Sequence, residues 1–148
     1  MSLIAAHLKT LALEAPYVLA PDDGAIPLAR TTSESLGTDY AWFEKSRDKV
    51  TGAVTTTARD VDLRGRDVVV VDDVISTGKT IANAAQIAKK QGARRVLAAC
   101  AHLLLVGDAE QTLRSASVDQ VIGTDSVELG SRPVSIAPVI AEALRKIW

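Results

Sequence analysis

The sequence predicts an α/β three-layer sandwich with a mainly parallel sheet of about five strands. Three observations carry this. Apolar, β-like runs alternate with helical periodicities from residue 17 to the end of the 148-residue chain. The run DVVVVDDV (67–74) places four valines in unbroken succession, which requires a strand buried on both faces, as central parallel strands are. That run passes through a short turn directly into a helical pattern, the repeating unit of a parallel sheet with crossover helices.

The elements follow in order. Ile4, Leu8, Leu11 and Ala12 recur at helical spacing behind Ser2 as N-cap, and Pro16 blocks continuation. YVLA (17–20) reads as a short strand and PDDGA (21–25) as a turn. Residues 26–36 form a weaker helical pattern closed by Gly37. Residues 39–45 read as a strand, SRDKVTG after them as a polar loop, and VTTT (54–57) as an edge strand. After the valine strand, Ile81, Ala84, Ala85 and Ala88 share one helical face. Lys89 and Lys90 complement that helix's C-terminus and Gly92 ends it. RVLAACAHLLLV (95–106) is a further buried strand, and Asp108 with Gln111 resembles a capping box for a short helix containing Leu113. QVIGTDSV (120–127) reads as the last strand. Pro138 opens a closing helix expected to turn Val139, Ile140, Ala143, Leu144 and Ile147 inward.

Composition sets bounds without naming a chemistry. The chain fits a single domain over 1–148, with residues 1–16 as an N-terminal helix and 17–148 as the core. Aromatic residues are only 3%, so aliphatic side chains and alanine must build that core. A net charge of -1 offers no general field for nucleic acid, so an anionic ligand needs a local site. No apolar run is long enough to span a membrane. One cysteine, Cys100, and an N-terminus without a basic region or cleavage site suit a reducing cytoplasm.

Ligands of parallel sheets bind beyond the carboxyl ends of the strands. The segment leaving the valine strand there is VVVVDDVISTGKT: two acids, Asp72 and Asp73, then a hydroxyl- and glycine-containing turn feeding a helix. A helix N-terminus favours a phosphate through its unpaired N–H groups and dipole. Ser76, Thr77 and Thr80 add hydroxyl donors, and Gly78 permits close backbone approach. Acids beside a phosphate cradle would repel the ligand unless they meet its hydroxyls or a cation. The combination points to a phosphorylated sugar. The Gly78-Lys79-Thr80 string is not a nucleotide P-loop, because Asp73 stands where that motif needs glycine. The plainer alternative is a strand–turn–helix whose hydroxyls merely cap the helix.

VVVVDDVISTGKT resembles the phosphoribosyl diphosphate (PRPP) signature of the type I phosphoribosyltransferase fold. The resemblance implies that Asp72 and Asp73 contact the ribose hydroxyls, and that Ser76, Thr77, Gly78 and Thr80 hold the 5-phosphate. Further segments resemble the PRPP synthetase (ribose-phosphate pyrophosphokinase) family. LAPDDGA is similar to its Ser-Pro-Asp-x-Gly turn, and AWFEKSRDKVTG to its mobile catalytic loop. AACAHLLLVGDAEQTL resembles its His-bearing strand, VIGTDSV its Thr-Asp/Asn-Thr turn and VSIAPVIAEAL its closing helix. The matches run from about residue 17 to 148 and correspond to the C-terminal half of such a synthetase. Departures are Lys79 in place of a usual glycine, Ser126 in place of a threonine, and the absence of the family's N-terminal half.

The family reaction transfers diphosphate from ATP to the C1 hydroxyl of ribose 5-phosphate, giving PRPP and AMP. The resemblance therefore implies Lys45 and Arg47 as catalytic clamps on the transferring group, Asp22 as a Mg2+ ligand, and ribose 5-phosphate or PRPP as partner. It implies ATP as partner only where the missing half is supplied, and a homo-oligomer. His102, inside an apolar strand, reads as a core histidine, and Cys100 as a small core residue. Two other functions fit the same motif. One is a stand-alone phosphoribosyltransferase, for which residues 1–16 offer no obvious base contacts. The other is a non-enzymatic PRPP-binding regulatory subunit, which would have no use for Lys45 and Arg47.

Overall fold

The computed structural model describes residues 2–47, 54–58, 61–127 and 134–148. The elements are α1 (Ser2–Thr10), β1 (Tyr17–Ala20), α2 (Ile26–Leu36), β2 (Tyr40–Arg47), β3 (Val54–Ala58), β4 (Asp67–Ile75), α3 (Lys79–Lys90), β5 (Arg95–Leu103), α4 (Ala109–Ser115), β6 (Gln120–Ile122) and α5 (Ala137–Ile147). The strands form one sheet in the order β3-β2-β1-β4-β5-β6. Five run parallel, and β3 pairs antiparallel with β2 at the edge.

The valine strand explains the layering. Val68 and Val70 pack with Ile81, Ala84, Ala85 and Ala88 of α3 and Leu113 of α4. Val69 and Val71 pack on the other face with Ile4 and Leu8 of α1 and Ala29 of α2. All four valines are fully buried, as a strand covered on both faces must be. The small alanines let the helices lie close to the sheet, so a chain poor in aromatics still fills its core. Residues 26–36 are helical as expected, and Gly37 closes α2 at φ 65°, where a side chain would be strained.

Several expected boundaries differ. Helix α1 stops at Thr10, well short of Pro16. Beyond it, Leu11 and Leu13 pack against the α1–α2 core, and the segment is drawn to the sheet's amino edge. There the Glu14 amide donates to Asp67 Oδ2 (2.9 Å) and the Asp67 amide donates back to the Glu14 carbonyl (3.0 Å). Tertiary contacts override the helical period. Strand β5 ends at Leu103 instead of 106, because the amides of Leu104 and Leu105 donate to the Ile75 carbonyl and that of Val106 to Ser76. The chain turns there through Leu105 at φ 43°. Strand β6 covers only 120–122 of the expected 120–127; the following turn bonds to Ala101 and Val134 instead. Asp108 precedes α4 but makes no side-chain cap.

Two corrections bear on function. Ser46 and Arg47, expected in a loop, belong to β2, and positions 48–52 of that expected loop lie outside the described residues. Helix α5 begins at the expected proline, yet none of its residues is buried, so the inward face assigned to it is uncovered.

Candidate sugar-phosphate site

The connections from β1 define where a site should form. Strand β1 leads through α2 to β2 on one side, while β4, on its other side, leads through α3 to β5. Helices α2 and α3 lie on opposite faces, so the carboxyl ends of β1 and β4 flank a topological switch point, the usual crevice for ligands. In the β1–β4 register Leu19 lies beside Val70, and Asp22, just past β1, comes near enough to Asp72 for its charge to act on that carboxyl. The strand order makes these acids neighbours across the switch.

Asp72 follows the unbroken buried run Asp67–Val71 of β4 and is itself half-buried. Its Oδ1 accepts from the Asp73 amide (2.9 Å), and Asp73 Oδ1 accepts from the Val74 amide (2.7 Å). Burial raises the Asp72 carboxyl to about 6, and the negative charges of Asp22 and Asp73 push the same way. Clustered carboxylates of this kind suit hydroxyl donors or a hard cation. Asp22 Oδ1 also accepts from the Gly24 amide (3.1 Å), capping a single 3-10 turn at Asp23–Ala25. Tight turn and acidic site are therefore compatible roles for PDDG.

Ser76 and Thr77 continue from β4 into Gly78, which holds φ 74° as the N-cap of α3. An added Cβ at Gly78 would lie 3.0 Å from Leu113 Cγ and 3.3 Å from the Ala109 carbonyl oxygen. Glycine is thus required both by backbone angle and by the closeness of α4. No side chain caps the α3 N-terminus. The N-cap is a glycine, so the first-turn N–H groups of α3 receive no side-chain cap from that position. The amides of residues 104–106 clasp the carbonyls of Ile75 and Ser76, bracing the loop from behind.

Lys45 and Arg47 stand on β2, two positions apart. Strand β1 stops opposite Trp42, so β2 runs on beyond it paired only with β3, Lys45 opposite Thr56 and Arg47 opposite Val54. At strand rise, the two positions project about 10 and 16 Å past the Trp42 level. They belong to a hairpin arm overhanging the carboxyl edge, not to an irregular loop.

His102 is not a core histidine. It is exposed at the carboxyl end of β5, beside Val74, with Nδ1 2.8 Å from Ser126 Oγ. Ser126 and Thr124 both reach the Ala101 carbonyl (3.1 and 2.7 Å), fixing the turn after β6 against β5. The signal was the position itself, since β5 loses its cover once past the sheet edge. Cys100 is buried, and burial pushes its thiol up to about 12, far from a nucleophile. Among the described residues no group of three or more His, Cys, Asp or Glu is arranged to hold a metal ion. Among the described residues no helix is long and apolar enough to cross a membrane.

Comparison with known proteins agrees with this geometry. The family model for the phosphoribosyl transferase domain matches residues 1–130. The chain is 43% identical over 145 residues to a ribose-phosphate pyrophosphokinase of Methanothermobacter thermautotrophicus, covering 98% of this chain and 50% of that protein. A ribose-phosphate pyrophosphokinase of Saccharolobus solfataricus is 42% identical over 132 residues, covering 88% and 45%. The chain thus spans about half the length of these relatives, and the matched half is the C-terminal one. Among solved structures, the phosphoribosylpyrophosphate synthetase of Mycobacterium smegmatis superimposes with a TM-score of 0.75 at 28% identity, covering 99% of this chain and 48% of that one. A purine phosphoribosyltransferase of Pyrococcus horikoshii shares the fold, with a TM-score of 0.57 at 20% identity.

Proposed function

The chain belongs to the phosphoribosyl transferase domain family, and we propose that it binds ribose 5-phosphate or PRPP at the β1–β4 switch point as a PRPP-synthetase-like domain. The observation that carries this reading is the uncapped N-terminus of α3, reached through left-handed Gly78 directly after Asp72 and Asp73. The 5-phosphate accepts from the first-turn amides and from Ser76, Thr77 and Thr80. The ribose hydroxyls donate to Asp72 and Asp73.

A magnesium ion fits this set in a limited way. Mg2+ commonly takes one or two carboxylates and completes its shell with phosphate oxygens and water. Asp22 and Asp72 would hold it, and the ion would neutralise charge on diphosphate oxygens. The chain's own part in diphosphate transfer from ATP is positioning and charge neutralisation, which such transfer chiefly needs. Lys45 and Arg47 on the overhanging arm serve as clamps for the transferring group. With half of the relatives' length represented, ATP use depends on what supplies the rest. The pyrophosphokinase relatives near 40% identity favour this reading over a base-specific transferase, for which the neighbours below 25% speak only to fold.

Calorimetry with ribose 5-phosphate and with PRPP, with and without Mg2+, tests binding; an assay for AMP from ATP tests transfer. Expected is saturable binding of either sugar phosphate that Asp72→Asn weakens. Base-dependent release of diphosphate from PRPP would favour the transferase, and no binding of either compound would refute the site.

A further inference from the structure

His102 and the turn Thr124-Asp125-Ser126 form a hydrogen-bonded cluster at the carboxyl edge of the sheet. His102 Nδ1 lies 2.8 Å from Ser126 Oγ. The turn that carries Ser126 is held from two directions. Toward β5, Thr124 and Ser126 both donate to the Ala101 carbonyl. An added Cβ at Gly123 would lie 2.7 Å from Leu103 Cβ, so only glycine lets the turn come this close. Toward α5, the Ile136 amide donates to Asp125 Oδ1 (2.7 Å), and Thr124 pairs with Val134 in a parallel bridge. An exposed histidine thus has a fixed partner, and its ring is oriented before any ligand arrives.

The hydroxyl protons decide what that ring offers. Thr124 and Ser126 carry one each, and the two lone pairs of the Ala101 carbonyl take both. Ser126 Oγ is then left to accept, so the neutral ring carries its proton on Nδ1 and presents Nε2 as a hydrogen-bond acceptor. The two ring nitrogens diverge. With Nδ1 turned to Ser126, Nε2 is directed away from the turn after β6, and β4 lies on the other side of β5. In the β4–β5 ladder Asp72 is level with Cys100, and Val74 with His102. Besides burial, the charges of Asp72 and Asp73 raise the Cys100 thiol, so the acids act across to β5. His102 stands two residues further on, about 7 Å along the strand and about 5 Å across from β4, which leaves room for a ribose between it and the acids.

We propose that His102 Nε2 accepts a hydrogen bond from the C1 hydroxyl of ribose 5-phosphate, with Ser126 positioning the ring. The inference rests on the sugar-phosphate reading of the site and adds a selectivity to it. Cyclic ribose 5-phosphate has hydroxyls on C1, C2 and C3. The vicinal pair on C2 and C3 suits the adjacent acids Asp72 and Asp73, which leaves the C1 hydroxyl for another acceptor. In PRPP a diphosphate ester replaces that hydroxyl and has no such proton to give. His102 therefore favours the free sugar phosphate.

Calorimetry at about pH 8, where an ordinary imidazole is neutral, tests this with ribose 5-phosphate, its C1-deoxy analogue and PRPP. Wild-type protein should bind ribose 5-phosphate roughly 3- to 10-fold more tightly than the deoxy analogue. His102→Ala should abolish that preference by weakening ribose 5-phosphate alone, with the deoxy analogue and PRPP bound as before. Ser126→Ala should lose part of it, since the ring remains but is no longer held. A wild type without the preference, or a His102→Ala variant that keeps it, would overturn the inference and leave the sugar-phosphate site standing. A wild type that binds none of these compounds would remove the site and the inference with it. Nitrogen NMR of the imidazole needs no variant: the neutral ring should be protonated on Nδ1, and a ring protonated on Nε2 would overturn the acceptor role.

Discussion

Strand β4 begins on one aspartate, Asp67, and carries another, Asp72, past its middle, and the two live under opposite conditions. Asp67, at the amino edge, is fully buried with Oδ2 accepting from Arg94 (2.7 Å), Arg95 (2.6 Å) and the Glu14 amide (2.9 Å). Burial alone would raise its carboxyl, but those donors outweigh it and hold it below the usual carboxylate range. Asp72, at the carboxyl edge, is half-buried among other carboxylates and is raised to about 6. At one edge arginines of the same chain neutralise the acid through Oδ2; at the other, acids gather beside the uncapped start of a helix. That contrast supports the ligand role proposed for Asp72 better than burial does.

The contrast can be broken from either end. Asp67→Ala strands two arginines and should cost about 3 kcal/mol in denaturant unfolding at neutral pH, leaving sugar-phosphate affinity unchanged. Because the folded Asp67 carboxyl is lowered, its contribution is present above the ordinary carboxylate pKa and is lost as pH falls through the folded value. The gap between wild type and Asp67→Ala should therefore close in acid. Asp72→Asn should do the reverse. Binding of ribose 5-phosphate is expected to weaken roughly 10- to 100-fold. Stability at pH 7 should rise, because the raised Asp72 carboxyl favours the folded state only once protonated, below about pH 6. Full burial would make such a shift worth about 3 kcal/mol, and partial exposure reduces it to about 1.

Smaller effects sharpen the site itself. Gly78→Ala forces a side chain into φ 74° against Leu113 and should lose about 1–2 kcal/mol together with phosphate affinity. Thr80→Val should weaken binding roughly threefold to fivefold while moving the melting temperature by no more than about 2 °C. A large drop in melting temperature there would return Thr80 to a capping role.

Much of this was legible in the sequence, for identifiable reasons. Four successive valines can be satisfied only inside a parallel sheet, and Asp72 to Thr80 is contiguous, so strand, acids and loop arrive together. What escaped depends on long-range partners. Asp67 looks like the lead-in of a strand until Arg94 and Arg95, 27 and 28 residues on, are folded beside it. His102 looks buried because its apolar neighbours mask where β5 leaves the sheet. The periodicity of α5 correctly marks a helix but cannot say whether its apolar face meets this domain or another surface. Ser46 and Arg47 read as loop because polar residues at the end of a strand paired on one side lack the alternation a covered strand shows.

The central claim, that the open edge of β4 holds a sugar phosphate, is tested most directly by following backbone amide resonances while ribose 5-phosphate is added. The largest shifts should fall on residues 76–81 and on Asp72 and Asp73, with Arg94 and Arg95 unmoved. Shifts confined to other residues, or none at saturating ribose 5-phosphate, would contradict it.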